Sequence, residues 1–215
     1  MPYANRDDVI VLALPRGGVP VAFEVARALE APLDIFLVRK LGAPGHPEFA
    51  IGAIASGGVR VLSHDVVADL GIPPEIIEQL AERERLEIER RDKAYHVDRP
   101  KLALLGKAVI VVDDGLATGS TMEAAVSALR EHHPAKIIVA APVGAVDSCR
   151  RLRALADEAI CLQTPEPFNA VGQWYQLFDQ TTDEEVVELL RRANDRSLSR
   201  RTAVASDLDP GRYFR

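Results

Sequence analysis

Cysteine is scarce in this sequence, and its scarcity argues against a fold held together by several disulfides or by a zinc site. Only Cys149 and Cys161 are present among 215 residues, and neither belongs to a C-x-x-C motif or to a Cys/His cluster. A disulfide framework or a zinc site requires more such residues at closer spacing. We therefore expect both cysteines to be ordinary thiols in or near the core.

Long apolar runs are also missing. No stretch approaches the roughly 20 consecutive apolar residues that a membrane-spanning helix needs. The first residues, MPYANRDDVIVLAL, lack the basic region, long apolar segment and small-residue cleavage site of a secretory signal. We expect a cytoplasmic protein with no membrane partner.

Basic residues are outnumbered by acidic ones. The chain has 26 Lys and Arg against 32 Asp and Glu, which gives a formal net charge of -6. Extended nucleic-acid binding relies on a basic surface that neutralises phosphates, so we expect no nucleic-acid partner. Local basic loops can still hold a small anionic ligand. Hydrophobic residues make up 47% of the chain, which is enough to build the core of one folded domain.

Near-continuous hydrophobic runs recur along the chain. They lie at residues 9–14, 33–38, 108–112, 136–141 and 158–162, and they are typical of parallel strands covered on both faces. Between them, apolar residues three and four apart predict crossover helices at residues 20–30, 120–132 and 146–156. This alternation predicts an α/β fold with a doubly wound, mainly parallel sheet.

One segment interrupts the alternation. Residues 50–63 predict a hairpin that turns around the sequence SGG at 56–58. Residues 73–96 follow as a long charged helix. Together they predict an insertion between two strands of the parallel sheet.

The segment VIVVDDGLATGSTM, residues 109–122, ends a buried strand in two carboxylates. Ligands bind at the carboxyl ends of strands in open α/β sheets, so Asp113 and Asp114 are expected to face a site. Two adjacent carboxylates repel each other and lose solvation unless a cation or several hydroxyl donors compensate them. Residues 117–121 then lead into a helix, and Gly119 lets their amides and hydroxyls face one anion. The pattern predicts a pocket for a sugar phosphate.

Two other folds place similar motifs after a strand. Receiver domains use an aspartate pair to bind magnesium, but they need a further aspartate at the end of a later strand. The segments KIIVAAPVG and EAICLQTP end without one. The glycine-containing loop also lacks the G-K-[ST] sequence of a P-loop. Both alternatives are disfavoured.

The segment at 109–122 resembles the signature of type I phosphoribosyltransferases, whose substrate is 5-phosphoribosyl 1-pyrophosphate. The segments ALPRGGVPVAFEVARAL, VRKLGAPGHPEFAIGAIASGG and NAVGQWYQLFDQTTDEEV extend the likeness, over most of residues 9–190, to a bacterial group of uncertain acceptor. The resemblance implies that Asp113 and Asp114 hold the ribose 2- and 3-hydroxyls and contact metal only through those hydroxyls or water. It implies that the 5-phosphate is bound by Ala117, Thr118, Gly119, Ser120 and Thr121.

A second glycine loop, PRGG at residues 15–18, follows the first strand. An isolated R-G-G sequence is more often a tight turn with a solvated arginine. A diphosphate far from the ribose 5-position needs its own amides and guanidinium, however. The resemblance implies that Arg16, Gly17 and Gly18 form this pyrophosphate loop. Arg39 and Lys40, expected at the end of the next strand, form either a surface pair or a pyrophosphate contact, and the resemblance favours the contact.

The resemblance also assigns the insertion and the segment after the last strand. Residues 50–96 take the place of the family's mobile loop, which closes over the substrate and excludes water. Arg90 and Arg91 could then reach the phosphates, although their spacing from glutamates favours a solvated, ion-paired face. Residues 163–182 correspond to the hood that holds the acceptor. The aromatic residues there either stack on a flat base or belong to the core: Phe168, Trp174 and Tyr175.

Ala117 bears on the acceptor. In the hypoxanthine-guanine members of the family, the residue just before the Thr-Gly pair is an aspartate that interacts with the purine ring. Alanine cannot exchange a proton through its side chain. The resemblance therefore implies that hypoxanthine and guanine are poor acceptors, with adenine-like, pyrimidine and other nitrogenous acceptors left open.

These assignments predict one phosphoribosyltransferase domain over residues 1–196 and a flexible tail over residues 197–215, which show no periodicity. The implied reaction is a magnesium-dependent transfer of the phosphoribosyl group to a nitrogenous acceptor, with release of pyrophosphate. The implied assembly is a homo-oligomer, a dimer by resemblance. The alternative is a non-catalytic regulator that senses phosphoribosyl pyrophosphate or a nucleotide. Such a regulator would be expected to carry a basic nucleic-acid surface or an effector domain, and the sequence shows neither.

Overall fold

The computed structural model describes residues 2–96 and 101–207, with the side chains of 47, 48 and 196–207 left out. The strands are β1 (Val9–Ala13), β2 (Leu33–Ile35), β3 (Val38–Ala43), β4 (His46–Ala55), β5 (Arg60–Leu62), β6 (Ala108–Val112), β7 (Lys136–Val143) and β8 (Glu158–Gln163). The helices are α1 (Gly18–Leu29), α2 (His64–Asp69), α3 (Pro74–Tyr95), α4 (Ser120–Arg130), α5 (Val146–Leu155) and α6 (Asp183–Asp207), with a 3-10 turn at Val171–Trp174.

The central sheet has five parallel strands in the order β2-β1-β6-β7-β8. Successive residues of β1 enter two different apolar clusters, because side chains alternate between the two faces of a strand. Val9 and Val11 pack with α1, α3 and α6, whereas Ile10 and Leu12 pack with α4 and α5. Helices thus cover both faces, and the predicted doubly wound α/β fold is confirmed.

Strand β8 differs from the prediction of a strand covered on both faces. It forms one edge of the sheet, and Ile160 and Leu162 are 36% and 77% exposed. An apolar run indicates a strand, but the place of that strand in the sheet depends on the path of the chain. The prediction of complete burial was therefore wrong for β8.

The insertion forms a second, antiparallel sheet in the order β3-β4-β5. The predicted hairpin is present, with Gly52 opposite Leu62, but β3 was not predicted. The expected strand at 33–38 was wrong because the parallel strand ends at Ile35, and Val38 already pairs with Ala55 in the second sheet. Arg39 and Lys40 therefore lie within β3 rather than at the end of a parallel strand.

The two cysteines also differ from expectation. Cys149 on α5 and Cys161 on β8 are joined in a disulfide, so they are not the free thiols that the sequence predicted. The bond is possible because α5 folds back against the strand that follows it. Sequence spacing alone does not reveal this proximity.

Helix α6 extends into the stretch that was expected to be a tail. Val186 and Leu190, four residues apart, are fully buried against the rest of the domain, which explains why the helix forms. It continues to Asp207, so residues 197–207 are helical, and residues 208–215 lie outside the described part of the chain. In the described ranges no helix is long and apolar enough to cross a bilayer.

Candidate active site

Asp113 and Asp114, the acidic pair, leave the carboxyl end of β6 in the middle of the parallel sheet. The backbone N–H of Asp113 donates to the carbonyl of Ala140 at 3.2 Å. The carboxylate of Asp113 in turn accepts the N–H of Asp114 at 2.9 Å. These bonds hold the acidic pair at the edge where the sequence predicted it.

The acidic pair is electrostatically unfavourable in the absence of a ligand. Burial, together with the neighbouring charge of Asp114, raises the pKa of Asp113 to about 8. Burial also raises the pKa of Asp114. In residues 2–96 and 101–207 no group of three or more His, Cys, Asp and Glu could hold a metal ion. Hydroxyl donors or a cation supplied with a ligand would stabilise the charged form of the pair.

The PRGG loop, residues 15–18, lies directly against the acidic pair. A β-carbon on Gly17 would collide with the carboxylate Oδ2 of Asp114. A β-carbon on Gly18 would lie 2.7 Å from the carbonyl oxygen of Val112. Glycine permits this approach because it has no side chain. The two loops that the sequence singled out therefore form one continuous surface.

Arg16, the second residue of the PRGG loop, extends toward the last helix. The peptide bond from Pro15 to Arg16 is cis. The guanidinium Nη1 of Arg16 is 3.7 Å from Oδ1 of Asp183, the first residue of α6. The same oxygen accepts a hydrogen bond from the hydroxyl of Tyr95 at 2.6 Å. Burial, followed by this contact with Asp183, raises the pKa of Tyr95 to about 12, so Tyr95 remains a donor at neutral pH.

The ATGST turn, residues 117–121, leads from β6 into α4. Gly119 adopts φ +72° at the start of the helix, a left-handed conformation that favours glycine. The hydroxyls of Thr118 and Ser120 are 3.0 Å apart. Helix N-termini carry free amides and the positive end of the helix dipole. The turn therefore offers amides and hydroxyls suited to an anion.

The basic residues of β3 contact different elements. Lys40 Nζ lies 3.3 Å from Ser120 Oγ in the ATGST turn. Arg39 Nε instead donates to Glu84 of α3 at 2.7 Å. Neighbouring side chains on a strand point in opposite directions, which explains the difference. Lys40 is thus the residue of this pair that reaches the turn.

The arginines of α3 are ion-paired, as their spacing predicts. Arg90 and Arg91 both donate to Glu87, at 2.8 and 2.7 Å. Their side chains are 60% and 30% exposed. Arg91 also lines a small cavity with Arg39 and Thr121. Arg91 is therefore at the margin of the candidate site, whereas Arg90 faces solvent.

The segment predicted as a hood packs over the acidic pair. The hydroxyl of Tyr175 donates to the backbone carbonyl of Asp114 at 2.6 Å. Burial and the charges of the acidic pair raise the pKa of Tyr175 to about 12. Phe168 and Trp174 stack with their ring centroids 6.4 Å apart, and Trp174 is 42% exposed. Tyr175 anchors the segment, and the stacked rings lie near the surface rather than in the core.

Two residues that the sequence analysis missed support the ATGST turn from α5. Ser148 donates its hydroxyl hydrogen to the carbonyl of Ala117 at 2.7 Å. Arg151 donates to the carbonyl of Thr118 at 2.6 Å and to the carboxylate of Glu123 at 2.8 Å. The two carbonyls are 31 and 33 residues away from these donors in sequence. No local motif marks such distant pairs.

Comparison with known proteins assigns the chain to a family. The pattern of the phosphoribosyl transferase domain matches residues 2–175, which is most of the chain. The chain belongs to the type I phosphoribosyltransferase family. The resemblance given by the signature at 109–122 is thereby confirmed, and the match includes both glycine loops and the acidic pair.

Relatives of this chain include longer proteins. Two from strains of Mycobacterium tuberculosis, provisionally named phosphoribosyl transferases, are 46% identical over 202 residues. The match covers 94% of this chain and 45% of each relative, so the chain spans about half the length of the curated relatives it matches. The crystal structure of TT1426 from Thermus thermophilus is 43% identical, with a TM-score of 0.80 over 87% of this chain and 89% of that one.

Proposed function

We propose that this protein transfers the 5-phosphoribosyl group from phosphoribosyl pyrophosphate to a nitrogenous acceptor and releases pyrophosphate. The observation that carries the proposal is the convergence of the acidic pair, the PRGG loop and the ATGST turn at one edge of the sheet. Phosphoribosyl pyrophosphate has hydroxyls between two phosphate-bearing ends. Its chemical layout therefore matches carboxylates flanked by two anion-binding loops.

The acidic pair is proposed to bind the ribose. Asp113 and Asp114 accept hydrogen bonds from the 2- and 3-hydroxyls, which replace the water that burial has removed. Their charged form also stabilises the cationic character that develops on the ribose as its bond to pyrophosphate lengthens. The acceptor nitrogen then forms the new bond to the anomeric carbon, and pyrophosphate leaves with the bonding electrons.

The two loops are proposed to bind the two phosphate ends. The 5-phosphate accepts hydrogen bonds from the amides and hydroxyls of the ATGST turn, beside Lys40. The pyrophosphate contacts Gly17, Gly18 and the guanidinium of Arg16, which exchanges its ion pair with Asp183 for the ligand. Charge-assisted hydrogen bonds of this kind are stronger than neutral ones.

Magnesium is the proposed cofactor. It prefers oxygen ligands and is commonly bound through one or two carboxylates together with substrate phosphates. The acidic pair fits this pattern, and Asp113 and Asp114 would hold the ion through ribose hydroxyls or water. When bound, magnesium would neutralise the negative charge that develops on the leaving pyrophosphate.

The acceptor is proposed to lie beside the hood. Tyr175 fixes this segment to the acidic pair, and the stacked rings of Phe168 and Trp174 present an aromatic surface nearby. Flat heterocycles stack favourably on such surfaces. The hood therefore favours a planar nitrogenous acceptor.

Calorimetry followed by an activity screen tests this function. The protein is titrated with phosphoribosyl pyrophosphate with and without magnesium, and pyrophosphate release is then measured with a panel of nitrogenous acceptors. We expect magnesium-dependent binding and release with at least one acceptor. Binding without release across the panel would favour a sensor, and an absence of binding would contradict both functions.

A further inference from the structure

The direction of the amides in the ATGST turn depends on where its carbonyls point. In a trans peptide the C=O of one residue and the N–H of the next point in opposite directions. The cis bonds of the described chain are at Pro15–Arg16 and Glu166–Pro167, so the peptides that follow Ala117 and Thr118 are trans. A group that holds these carbonyls on the α5 side thus turns the next N–H groups away from α5.

Ser148 holds the first carbonyl from a buried position. Its residue is only 2% exposed, and its hydroxyl donates to the carbonyl of Ala117 at 2.7 Å. A buried hydroxyl without a partner is costly, which stabilises this arrangement. A β-carbon on Gly119 would lie 3.2 Å from Cβ of Ser148, so the turn is packed closely against this residue. The N–H of Thr118 is consequently directed away from α5.

Arg151 holds the second carbonyl and links it to α4. Its guanidinium donates to the carbonyl of Thr118 and to the carboxylate of Glu123. A planar guanidinium can serve two acceptors at once in a fixed geometry, which a lysine ammonium does less well. The N–H of Glu123 donates to the carbonyl of Gly119 at 2.9 Å. Arg151 therefore joins the turn to the first turn of α4.

We propose that Ser148 and Arg151 are positioning residues of the 5-phosphate site. They hold the carbonyls of Ala117 and Thr118 so that the N–H groups of Thr118 and Gly119 remain directed at the phosphate. This inference rests on the proposed function. Both side chains act through the backbone of the turn and contact no substrate atom. Their loss allows the two peptides to rotate, which weakens binding at the 5-phosphate end and leaves the pyrophosphate end intact.

The neighbouring arginine provides a matched control. Arg150 lies on the same helix, is 71% exposed, and contacts Asp147 of its own helix at 2.8 Å. Arg150→Ala removes the same charge as Arg151→Ala without touching the turn. Arg151→Lys keeps the charge but cannot bridge both acceptors. Ser148→Ala removes the contact with the Ala117 carbonyl and also a 3.4 Å hydrogen bond that Arg151 donates to the Ser148 hydroxyl. It leaves the Arg151 contacts with Thr118 and Glu123 in place, so the test does not depend on one variant folding.

Affinities for ribose 5-phosphate and for pyrophosphate, both with magnesium, decide the proposal. Because a charge-assisted hydrogen bond is lost, we expect Arg151→Ala and Arg151→Lys to lower the affinity for ribose 5-phosphate about tenfold or more. Ser148→Ala should weaken it about fivefold. Pyrophosphate binding should stay within about twofold of the unmodified protein in all three variants. The KM for phosphoribosyl pyrophosphate should rise in parallel, while Arg150→Ala changes neither affinity nor KM.

Five outcomes would overturn the proposal. Equal losses for both ligands would indicate a general structural role. Full affinity of Arg151→Lys for ribose 5-phosphate would show that the positive charge alone matters. A loss of ribose 5-phosphate affinity in Arg150→Ala equal to that in Arg151→Ala would lead to the same conclusion. Unchanged affinity in Ser148→Ala and Arg151→Ala would remove the positioning role while leaving the function standing. Failure of the unmodified protein to bind either ligand would instead contradict the proposed function, and this inference with it.

Discussion

Gly17 and Asp114 are in direct contact across two loops, so close that a β-carbon on Gly17 would overlap the Asp114 carboxylate. The contact joins the end of β1 to the end of β6. It makes the PRGG loop and the acidic pair one unit, with backbone amides beside carboxylates. A ligand with adjacent hydroxyl and diphosphate groups requires hydrogen-bond acceptors for the hydroxyls close to hydrogen-bond donors for the diphosphate.

Gly17→Ala tests this contact. The overlap predicts a loss of about 1–3 kcal/mol in the free energy of unfolding, because extra volume in a packed site forces neighbouring atoms apart. Asp114→Ala removes the atoms that collide. In urea unfolding the penalty of Gly17→Ala should therefore largely disappear when Asp114→Ala is also present. Strictly additive penalties in this double-mutant cycle would show that the two residues do not meet.

Arg16→Ala tests the assignment of the two phosphate ends. The PRGG loop is proposed to bind only the diphosphate, so the variant should weaken pyrophosphate binding about tenfold and change ribose 5-phosphate binding little. Calorimetry with each ligand and magnesium measures the difference. Arg6→Ala is a control, since Arg6 pairs with Asp8 at 2.7 Å near the start of the chain. Equal losses for the two ligands in Arg16→Ala would count against the assignment.

We expect Asp113 to make the free energy of unfolding depend on pH. Burial and the charge of Asp114 raise its pKa to about 8 in the folded protein, whereas an ordinary aspartate in the unfolded chain has a pKa of about 4. The folded state therefore binds a proton that the unfolded chain has released. The stability that this proton provides is complete below about pH 4 and is lost as the pH rises toward about 8.

The variant Asp113→Asn should weaken this dependence, and Asp114, whose pKa burial also raises, should retain part of it. Between about pH 5 and pH 8, its free energy of unfolding should fall less steeply with pH than that of the unmodified, ligand-free protein. Asp179→Asn replaces an exposed carboxylate and should keep the original slope. Chemical denaturation at a series of pH values compares the three proteins. Identical slopes for all three would mean that Asp113 is not the group responsible.

The acceptor prediction rests on Ala117. Its carbonyl is held by Ser148, and its methyl side chain can neither exchange a proton nor hydrogen-bond to a base. We expect hypoxanthine and guanine to be poor acceptors compared with at least one adenine-like, pyrimidine or other nitrogenous compound. Steady-state assays across such a panel measure turnover of each acceptor, and efficient turnover of guanine or hypoxanthine would contradict the prediction.

The parallel sheet and the position of the acidic pair were predictable because their signals are local. Each strand is a short hydrophobic run, and parallel strands bring their carboxyl ends to the same edge. Gly17, Gly18 and the acidic pair could therefore be expected to converge without knowledge of any contact. The signature at 109–122 indicated the family, whereas the substrate, the magnesium ion and the dimer stay predictions.

Other features depend on contacts between distant parts of the chain. Ser148, Arg151 and Asp183 belong to helices whose sequence shows only ordinary amphipathic patterning. Their partners are set by how α5 and α6 pack on the sheet. Strand β3 was missed for a related reason, since one apolar stretch is divided between two sheets. The disulfide likewise depends on the packing of α5 against β8.

The most direct test of the account replaces both members of the acidic pair, Asp113→Asn and Asp114→Asn together. Each replacement preserves size and removes charge, so the fold should be retained, as circular dichroism can verify. With magnesium, phosphoribosyl pyrophosphate and the best acceptor from the panel, we predict that pyrophosphate release falls to background. Undiminished release by the folded double variant would contradict the assignment of the acidic pair as the ribose site.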